Sequence, residues 1–259
     1  MTVPLTDDDP LAAELAELAV PAPAGFDDSV FARWVEADGP LGALYVAFTD
    51  VGISYVCPTS WLGDDRDRFV EYFRTRFGRP LRPADRAPSG LAAALRSGRG
   101  TGLRYDLRTV GAFDRAVLAK TLEIPPGEIR PYAWIAREIG HPAAVRAAGS
   151  ALGRNPVPIL IPCHRVVRSD GMPGNYGFGP QLKVDLLRFE QVDLDESRAL
   201  GRRGVRYVAS DTTGIYCYPS CTSARRITAG HRVEVADAAA AAAAGYRPCR
   251  HCRPAAGVA

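Results

Sequence analysis

Two groups of cysteines in this chain of 259 residues could do chemistry, and they differ in kind. The first is a lone thiol, Cys163, with His164 beside it, in the run Gly153-Arg-Asn-Pro-Val-Pro-Ile-Leu-Ile-Pro-Cys163-His164-Arg-Val166. Pro156, Pro158 and Pro162 lack a backbone N–H, so the run predicts a stiff extended loop, not a helix. Its Val, Ile and Leu residues should bury the thiol and the imidazole. A thiol with pKa ~8.5 is a weak nucleophile at neutral pH until something takes its proton. The second group is Cys217-x3-Cys221, then 27 residues, then Cys249-x2-Cys252. Two close pairs at a domain-sized separation are metal-ligand spacing. Four thiolates around a tetrahedral ion suit zinc (Zn2+), with iron a poorer alternative. A module of about 50 residues also needs such a staple to fold. His251 lies between two of these cysteines, but four thiolates already complete the shell. Cys57 stands alone in a strand-like run and reads as a small buried hydrophobe.

Charge is distributed unevenly along the chain. Residues 1–125 carry 14 basic and 18 acidic side chains, a net −4, whereas residues 199–259 carry nine and three, a net +6. The half with the cysteines is therefore the basic half, which fits a polyanionic partner. Arg supplies nearly all of the positive charge; Lys120 and Lys183 are the exceptions. With 47% hydrophobic residues the chain can bury a sizeable core. No run of roughly 18 apolar residues occurs, so no membrane helix is expected. The acidic start Thr6-Asp-Asp-Asp-Pro10 is unlike a signal or transit sequence, so a cytoplasmic location is expected. Reduced thiols persist there, and the cysteines then read as metal-binding or catalytic, not disulfide-forming.

Several elements must position these groups. Leucines at 11, 15 and 18 predict a helix over 9–20, and a second short helix is read at 27–36. Residues 41–48 and 52–57 read as a hairpin, 64–77 as a charged amphipathic helix, 79–89 as a Pro-rich loop, 102–107 as a strand and 111–122 as a helix. No chemistry is read in this first part. Helices at 131–139 and 143–152 flank Gly140-His141-Pro142, a helix-turn-helix pattern whose second member is rich in Ala and carries Arg146. After the Cys163 loop come a strand-like 165–168, a Gly-rich loop with Asn175 and Tyr176, and a helix over 180–190 ending in Glu190. The reading thus divides the chain into a helical N-terminal extension (1–40), an α/β domain (41–125), a mainly helical domain (126–192), a linker (193–204) and a small α+β module (205–259).

At Pro162-Cys-His-Arg-Val166 the sequence resembles the O6-alkylguanine-DNA alkyltransferases. Ile124-Pro-Pro-Gly-Glu128, Tyr132, Arg146, Gly153–Val167, Gly174-Asn-Tyr176 and Lys183–Glu190 follow in that family's order, over about residues 41–192. The final part, Asp211-Thr-Thr-Gly-Ile-Tyr-Cys217 through Arg247-Pro-Cys249-Arg-His-Cys252-Arg-Pro254, is similar to the zinc-binding methyl-acceptor domain of the Ada family. In that family the order is the reverse, with the zinc domain first, and no second helix-turn-helix of the gene-activator kind is read after Pro254.

The resemblance implies a ribonuclease-H-like α/β domain, a winged helix-turn-helix-like catalytic domain and a zinc module. It implies repair of double-stranded DNA containing O6-alkylguanine (and O4-methylthymine) by a monomer, in a single irreversible methyl transfer to Cys163. Under it, His164 takes the thiol proton through a water and Glu190 orients His164. Asn155 holds the turn before the active-site loop. The base is flipped out of the duplex; Arg146 fills the gap, Tyr132 rotates the phosphate or donates to the purine, Tyr176 walls the pocket, and Arg165 belongs to the DNA-binding set. Cys217, a ligand with Cys221, Cys249 and Cys252, is implied to accept a methyl from a backbone phosphotriester. Four thiolates on a dication leave a charge of −2, and methylating one leaves −1, so methylation should strengthen DNA binding. Arg202, Arg203, Arg206, Arg225, Arg226 and Arg232 are the available contacts. Two departures from the pattern stand out. Asp114 replaces a common Gln, and Gly177-Phe178 follows the pocket Tyr, which predicts weaker activity on bulky alkyl groups. The rival readings are a DNA-alkylation sensor with a structural zinc domain and, more remotely, a thiol redox sensor. A pure binder needs neither the thiol nor His164 and Glu190.

Overall fold

The computed structural model describes residues 30–256. A four-stranded sheet of order β3-β2-β1-β4 opens it, built from β1 (Ala32–Gly39), β2 (Gly42–Phe48), β3 (Ile53–Pro58) and β4 (Leu81–Pro83). The apolar run in β2 is continuous because both faces of the sheet are covered. Leu44, Val46 and Phe48 enter the core shared with the middle of the chain, while Tyr45 and Ala47 face the other way. On that far side α1 (Arg66–Phe77) lays Phe69 and Phe73 against the sheet; Phe69 stacks on Tyr45 at 4.7 Å. Asp65 caps α1 by accepting from the amides of Asp67 and Arg68, which leaves the charged residues on its outer face. Cys57 is fully buried, as expected, and burial pushes its thiol up to about 12.

Several expectations for this part are corrected. Residues 32–36, read as helix, belong to β1, which pairs with β2 from Arg33↔Phe48 to Gly39↔Gly42. A full antiparallel ladder outweighs the weak helical preference of Ala-Arg-Trp-Val-Glu. A boundary at 40/41 would therefore cut through a hairpin. The Pro-rich segment supplies β4, parallel to β1, since Pro83 ends an edge strand where its missing N–H costs nothing. Residues 102–107 make only a bridge from Tyr105 to Ile53. Gly52 permits this approach: a Cβ there would stand 2.4 Å from the Arg104 carbonyl. A helix absent from the reading, α2 (Leu91–Ser97), buries Leu91, Ala94 and Leu95. The expected helix over 9–20 lies outside the described residues.

The middle of the chain is helical: α3 (Ala112–Thr121), α4 (Tyr132–Glu138), α5 (Val145–Gly153) and α6 (Pro180–Phe189), with short strands β5 (Arg130–Pro131) and β6 (Val166–Val167) paired in parallel. Most of the segment read as a linker, 193–204, is helical: α7 (Leu194–Arg202). Asp193 caps it, and Leu194 packs with Ile129, Val167, Leu187 and Val192. The last part is a four-stranded sheet of order β10-β8-β7-β9, from β7 (Tyr207–Ser210), β8 (Ile215–Cys217), β9 (Arg232–Val235) and β10 (Arg247–Pro248), with α8 (Ala238–Ala243) at its side. Asp237 caps α8 by accepting from Ala240. No helix among the described residues is long and apolar enough to cross a membrane.

Candidate functional site

The Cys163 loop is held from both ends. On one side the amide of Val56 in β3 donates to the Pro156 carbonyl at 2.9 Å, stitching the loop to the first sheet. On the other, β6 continues the loop into its pairing with β5. Asn155 fixes what lies between. Its carboxamide oxygen accepts from the Val157 amide at 3.0 Å, and its Nδ2 donates to the Ile161 carbonyl at 2.9 Å and to Cys163 Sγ at 3.1 Å. One side chain thus shapes the turn and touches the thiol.

Cys163 opens a 3-10 turn (Cys163–Arg165) and is 6% exposed. The imidazole of His164 is buried, with Nε2 3.0 Å from Glu190 Oε1. An ionised carboxylate only accepts, so Nε2 carries the proton and Nδ1 has a free lone pair. Nδ1 has no hydrogen-bond partner among the described residues. Burial pulls His164 below its ordinary pKa against the pull of Glu190, so it is neutral at pH 7 and able to take a proton. Burial pushes the Glu190 carboxyl up, but bonds from His164 and Arg165 outweigh it and hold it at about 2. Burial likewise pushes the Cys163 thiol up, while the Asn155 bond and the Lys183 charge pull it down.

Arg165 is corrected. It is 2% exposed and wholly engaged inward, donating to Glu190 at 2.9 and 2.7 Å and to the carbonyls of Ile124 and Gly98. A buried carboxylate needs a paired cation, and Arg165 is that cation, not a phosphate contact. The other expected residues line up differently. Tyr132 begins α4, its ring 5.6 Å from Lys183 Nζ. Arg146 is exposed near the start of α5. Tyr176 lies beside the thiol with its hydroxyl buried and unpartnered among the described residues; burial and the nearby Cys163 raise its pKa far. Asp114 forms an exposed pair with Arg154 at 2.8 Å.

A pocket of about 120 Å³ opens at Cys163, and its walls include groups from the first part of the chain, where no chemistry was expected. Tyr55 on β3, Trp61 on the following turn and Tyr72 on α1 face Asn155, Tyr176 and Phe178 there. Phe178 packs edge-on against Trp61 at 5.2 Å. A second group missed by the reading is Lys183, fully buried, donating to the Val166 carbonyl at 2.6 Å and pulled down to about 8 by burial. Its rarity in a chain that otherwise uses Arg was the available signal.

The second cluster forms as its spacing predicts. Parallel pairing of β10 with β8 places Cys249, whose amide donates to the Tyr216 carbonyl at 3.0 Å, beside Cys217. Tight turns after each strand bring in Cys221 and Cys252. All four cysteines are buried, unbridged by disulfides, with their sulfurs within 4.8 Å of one another. Tetrahedral zinc, with Zn–S about 2.3 Å, sets sulfurs about 3.8 Å apart, so the donor set fits the ion. His251 turns to Glu128 instead, at 3.1 Å. Of the arginines expected to contact DNA here, Arg203 and Arg232 are tied to Glu234 and Glu196.

Comparison with known proteins gives this arrangement its relatives. The "6-O-methylguanine DNA methyltransferase, DNA binding domain" family matches residues 112–192, and the "Metal binding domain of Ada" matches residues 196–255. A methylated-DNA-protein-cysteine methyltransferase of Methanosarcina acetivorans is 31% identical over 166 residues, 59% of this chain and 94% of that protein. The chain belongs to the methylated-DNA-protein-cysteine methyltransferase family. A probable family member from Acanthamoeba polyphaga mimivirus is 41% identical over 43% of this chain and 74% of its own. The bifunctional transcriptional activator/DNA repair enzyme Ada of Escherichia coli is 36% identical over 63% of this chain, which spans 46% of Ada's length. Among solved structures, Mycobacterium tuberculosis OGT in complex with DNA matches with a TM-score of 0.50 at 31% identity, over 64% of this chain and 98% of that one. In the family's terms, the Cys163 loop and its partners lie in the methyltransferase segment, and the zinc-type cluster lies in the Ada-type module.

Proposed function

We propose that this protein repairs double-stranded DNA by taking the methyl group of O6-methylguanine, and of O4-methylthymine, onto Cys163 in one irreversible turnover. The observation that carries this reading is the chain Cys163, His164, Glu190, Arg165. It sets a buried thiol next in sequence to a neutral imidazole whose far nitrogen is tied to a paired carboxylate. The free Nδ1 of His164 takes the thiol proton through a water. Sulfur then bonds to the methyl carbon, the methyl–O6 bond breaks, and its electron pair passes to the guanine. The Tyr132 hydroxyl supplies the compensating proton to the purine. The orphaned hydroxyl of Tyr176 and the aromatic pocket at the thiol suit a flipped base, whose polar edge satisfies groups otherwise left buried and unpaired.

The strand order β3-β2-β1-β4, with β1 and β4 parallel, supports a ribonuclease-H-like first domain. The α4-turn-α5 pair and the β5–β6 ribbon support a winged helix-turn-helix in the catalytic domain, with exposed Arg146 entering the duplex. These units support boundaries near 125 and 192. We take the protein to be a monomer in the cytoplasm. In the C-terminal module Cys217, Cys221, Cys249 and Cys252 hold zinc, which keeps their sulfurs deprotonated near pH 7. Cys217 accepts a methyl from a backbone phosphotriester.

Peptide mass mapping tests both assignments. The protein is mixed first with DNA carrying O6-methylguanine, then with DNA carrying a methylphosphotriester. Methyl on the Cys163 peptide from the first and on the Cys217 peptide from the second is the expected result. Methyl on neither, with the lesion still bound, would leave a sensor.

A further inference from the structure

The two thiol sites share a seam. Segment 124–131 runs between them, and its two sides face different chemistry. On the Cys163 side, the Ile124 carbonyl accepts from Arg165 at 2.7 Å, and the Gly127 amide lies 3.3 Å from Glu190 Oε2. Arg130 pairs with Val166, one residue beyond the 3-10 turn that holds Cys163 and His164. On the other side, the Glu128 carboxylate points into the four-cysteine module. It is 0% exposed and accepts from the Thr222 amide at 2.9 Å and the Thr222 hydroxyl at 2.7 Å, with His251 Nε2 at 3.1 Å and Arg130 as its counter-ion. Thr222 follows Cys221 and His251 precedes Cys252. Ile129 is fastened the same way: its amide donates to Ser220 Oγ at 3.0 Å. The Trp134 indole donates to the Cys252 carbonyl at 3.0 Å.

We infer that Glu128 is a positioning residue for transfer at Cys163, and that it makes the reactivity of Cys163 depend on the folded, metal-loaded state of the four-cysteine module. This rests on the reading of Cys163 as methyl acceptor. A small four-cysteine module folds only when its metal is bound. When it unfolds, Glu128 keeps one partner, Arg130, and loses all those supplied by the module. A buried carboxylate so stripped must turn towards water. Gly127 and Arg130, its flanks, move with it, and with them go the Glu190 contact and the β5–β6 ladder that aim His164. Loss of metal at one site is therefore felt at the other through a few hydrogen bonds, without any shared ligand.

The experiment uses the full chain in three forms: metal-loaded, metal-stripped by a chelator, and Glu128→Gln with its zinc content measured. Each is assayed for single-turnover methyl transfer from an O6-methylguanine duplex and for amide hydrogen exchange over 124–131 and 163–167. Stripping is expected to slow transfer by roughly tenfold or more and to speed exchange in both segments. Glu128→Gln is expected to do the same with four-cysteine zinc still bound in full stoichiometry, which separates the coupling from general unfolding. Exchange and transfer in Glu128→Gln equal to those of the loaded parent would overturn the inference. If the loaded parent transfers no methyl at all, the methyl-acceptor reading fails instead, and the exchange arm still decides whether the module holds 124–131.

Discussion

The molecule contains two buried thiol sites that solve opposite problems. At Cys163, the proposed methyl acceptor, a single sulfur is surrounded by groups aimed one at a time: Asn155 at 3.1 Å, a neutral His164, and the cation of Lys183, which burial holds near 8. At the second site four sulfurs lie within 4.8 Å, and only a cation makes that proximity stable. The first site depends on orientation, the second on charge. A thiol near one oriented base can wait for a substrate; four thiols together need an ion before they can fold at all.

The sharpest test of that contrast is to remove one sulfur from each. Cys163→Ala is expected to abolish transfer while leaving the fold and lesion binding intact, read by gel shift and circular dichroism. Cys252→Ser is expected to unfold the C-terminal module, since structural zinc contributes on the order of 10 kcal/mol to such folds, read by zinc stoichiometry and amide exchange over 205–256. A Cys252→Ser protein that keeps its zinc and its protection would break the comparison.

Next in size are the orienting groups. His164→Ala is expected to slow transfer by about 10²–10⁴-fold with DNA affinity unchanged. Arg165→Ala leaves Glu190 as an uncompensated buried charge and is expected to cost roughly 3–5 kcal/mol in urea unfolding, again without weakening DNA binding. A loss of DNA affinity with unchanged stability would return Arg165 to the DNA-contact set.

Acid sharpens the comparison further. Glu190 has a folded pKa of about 2, below its unfolded value of about 4.3. Its contribution to stability is therefore complete above the unfolded value and is lost as pH falls through about 2. The denaturation midpoint of Glu190→Gln should thus lie below that of the parent at pH 6, with the gap closing as pH drops towards 2. In the same series the acid limb of the transfer rate should lie below pH ~6.5, because burial lowers His164. The smallest expected effect is at the exposed Asp114–Arg154 pair, where Asp114→Asn should leave both midpoint and rate unmoved within error.

What could be known from the chain alone follows from how local each feature is. The four-cysteine module was legible because spacing of 3 and 2 residues within each pair is itself a statement about turns, and metal chemistry needs little else. The stiff loop at Cys163 was legible because proline constrains its own neighbourhood. The hairpin β2–β3 and the helix α1 were legible from their apolar patterns. Glu190, 26 residues from His164, came only through the family resemblance, since nothing local ties a helix terminus to a distant imidazole.

Tertiary structure decided the rest. The side chain of Arg165 turns inward because the buried Glu190 carboxylate needs it, which no neighbour in sequence reveals. Tyr55, Trp61 and Tyr72 become pocket walls because the β3 edge bonds to Pro156, joining two parts of the chain a hundred residues apart. Residues 32–36 became strand because β2 offered a ladder, and 194–202 became a packed helix because Leu194 and Leu200 had a core to enter. Glu128 is the clearest case: a carboxylate in a Pro-Pro-Gly turn reads as solvated until a second module, 94 residues on, supplies Thr222. Charges and polar groups show their purpose only when their partners are known, and partners are assigned by packing in three dimensions.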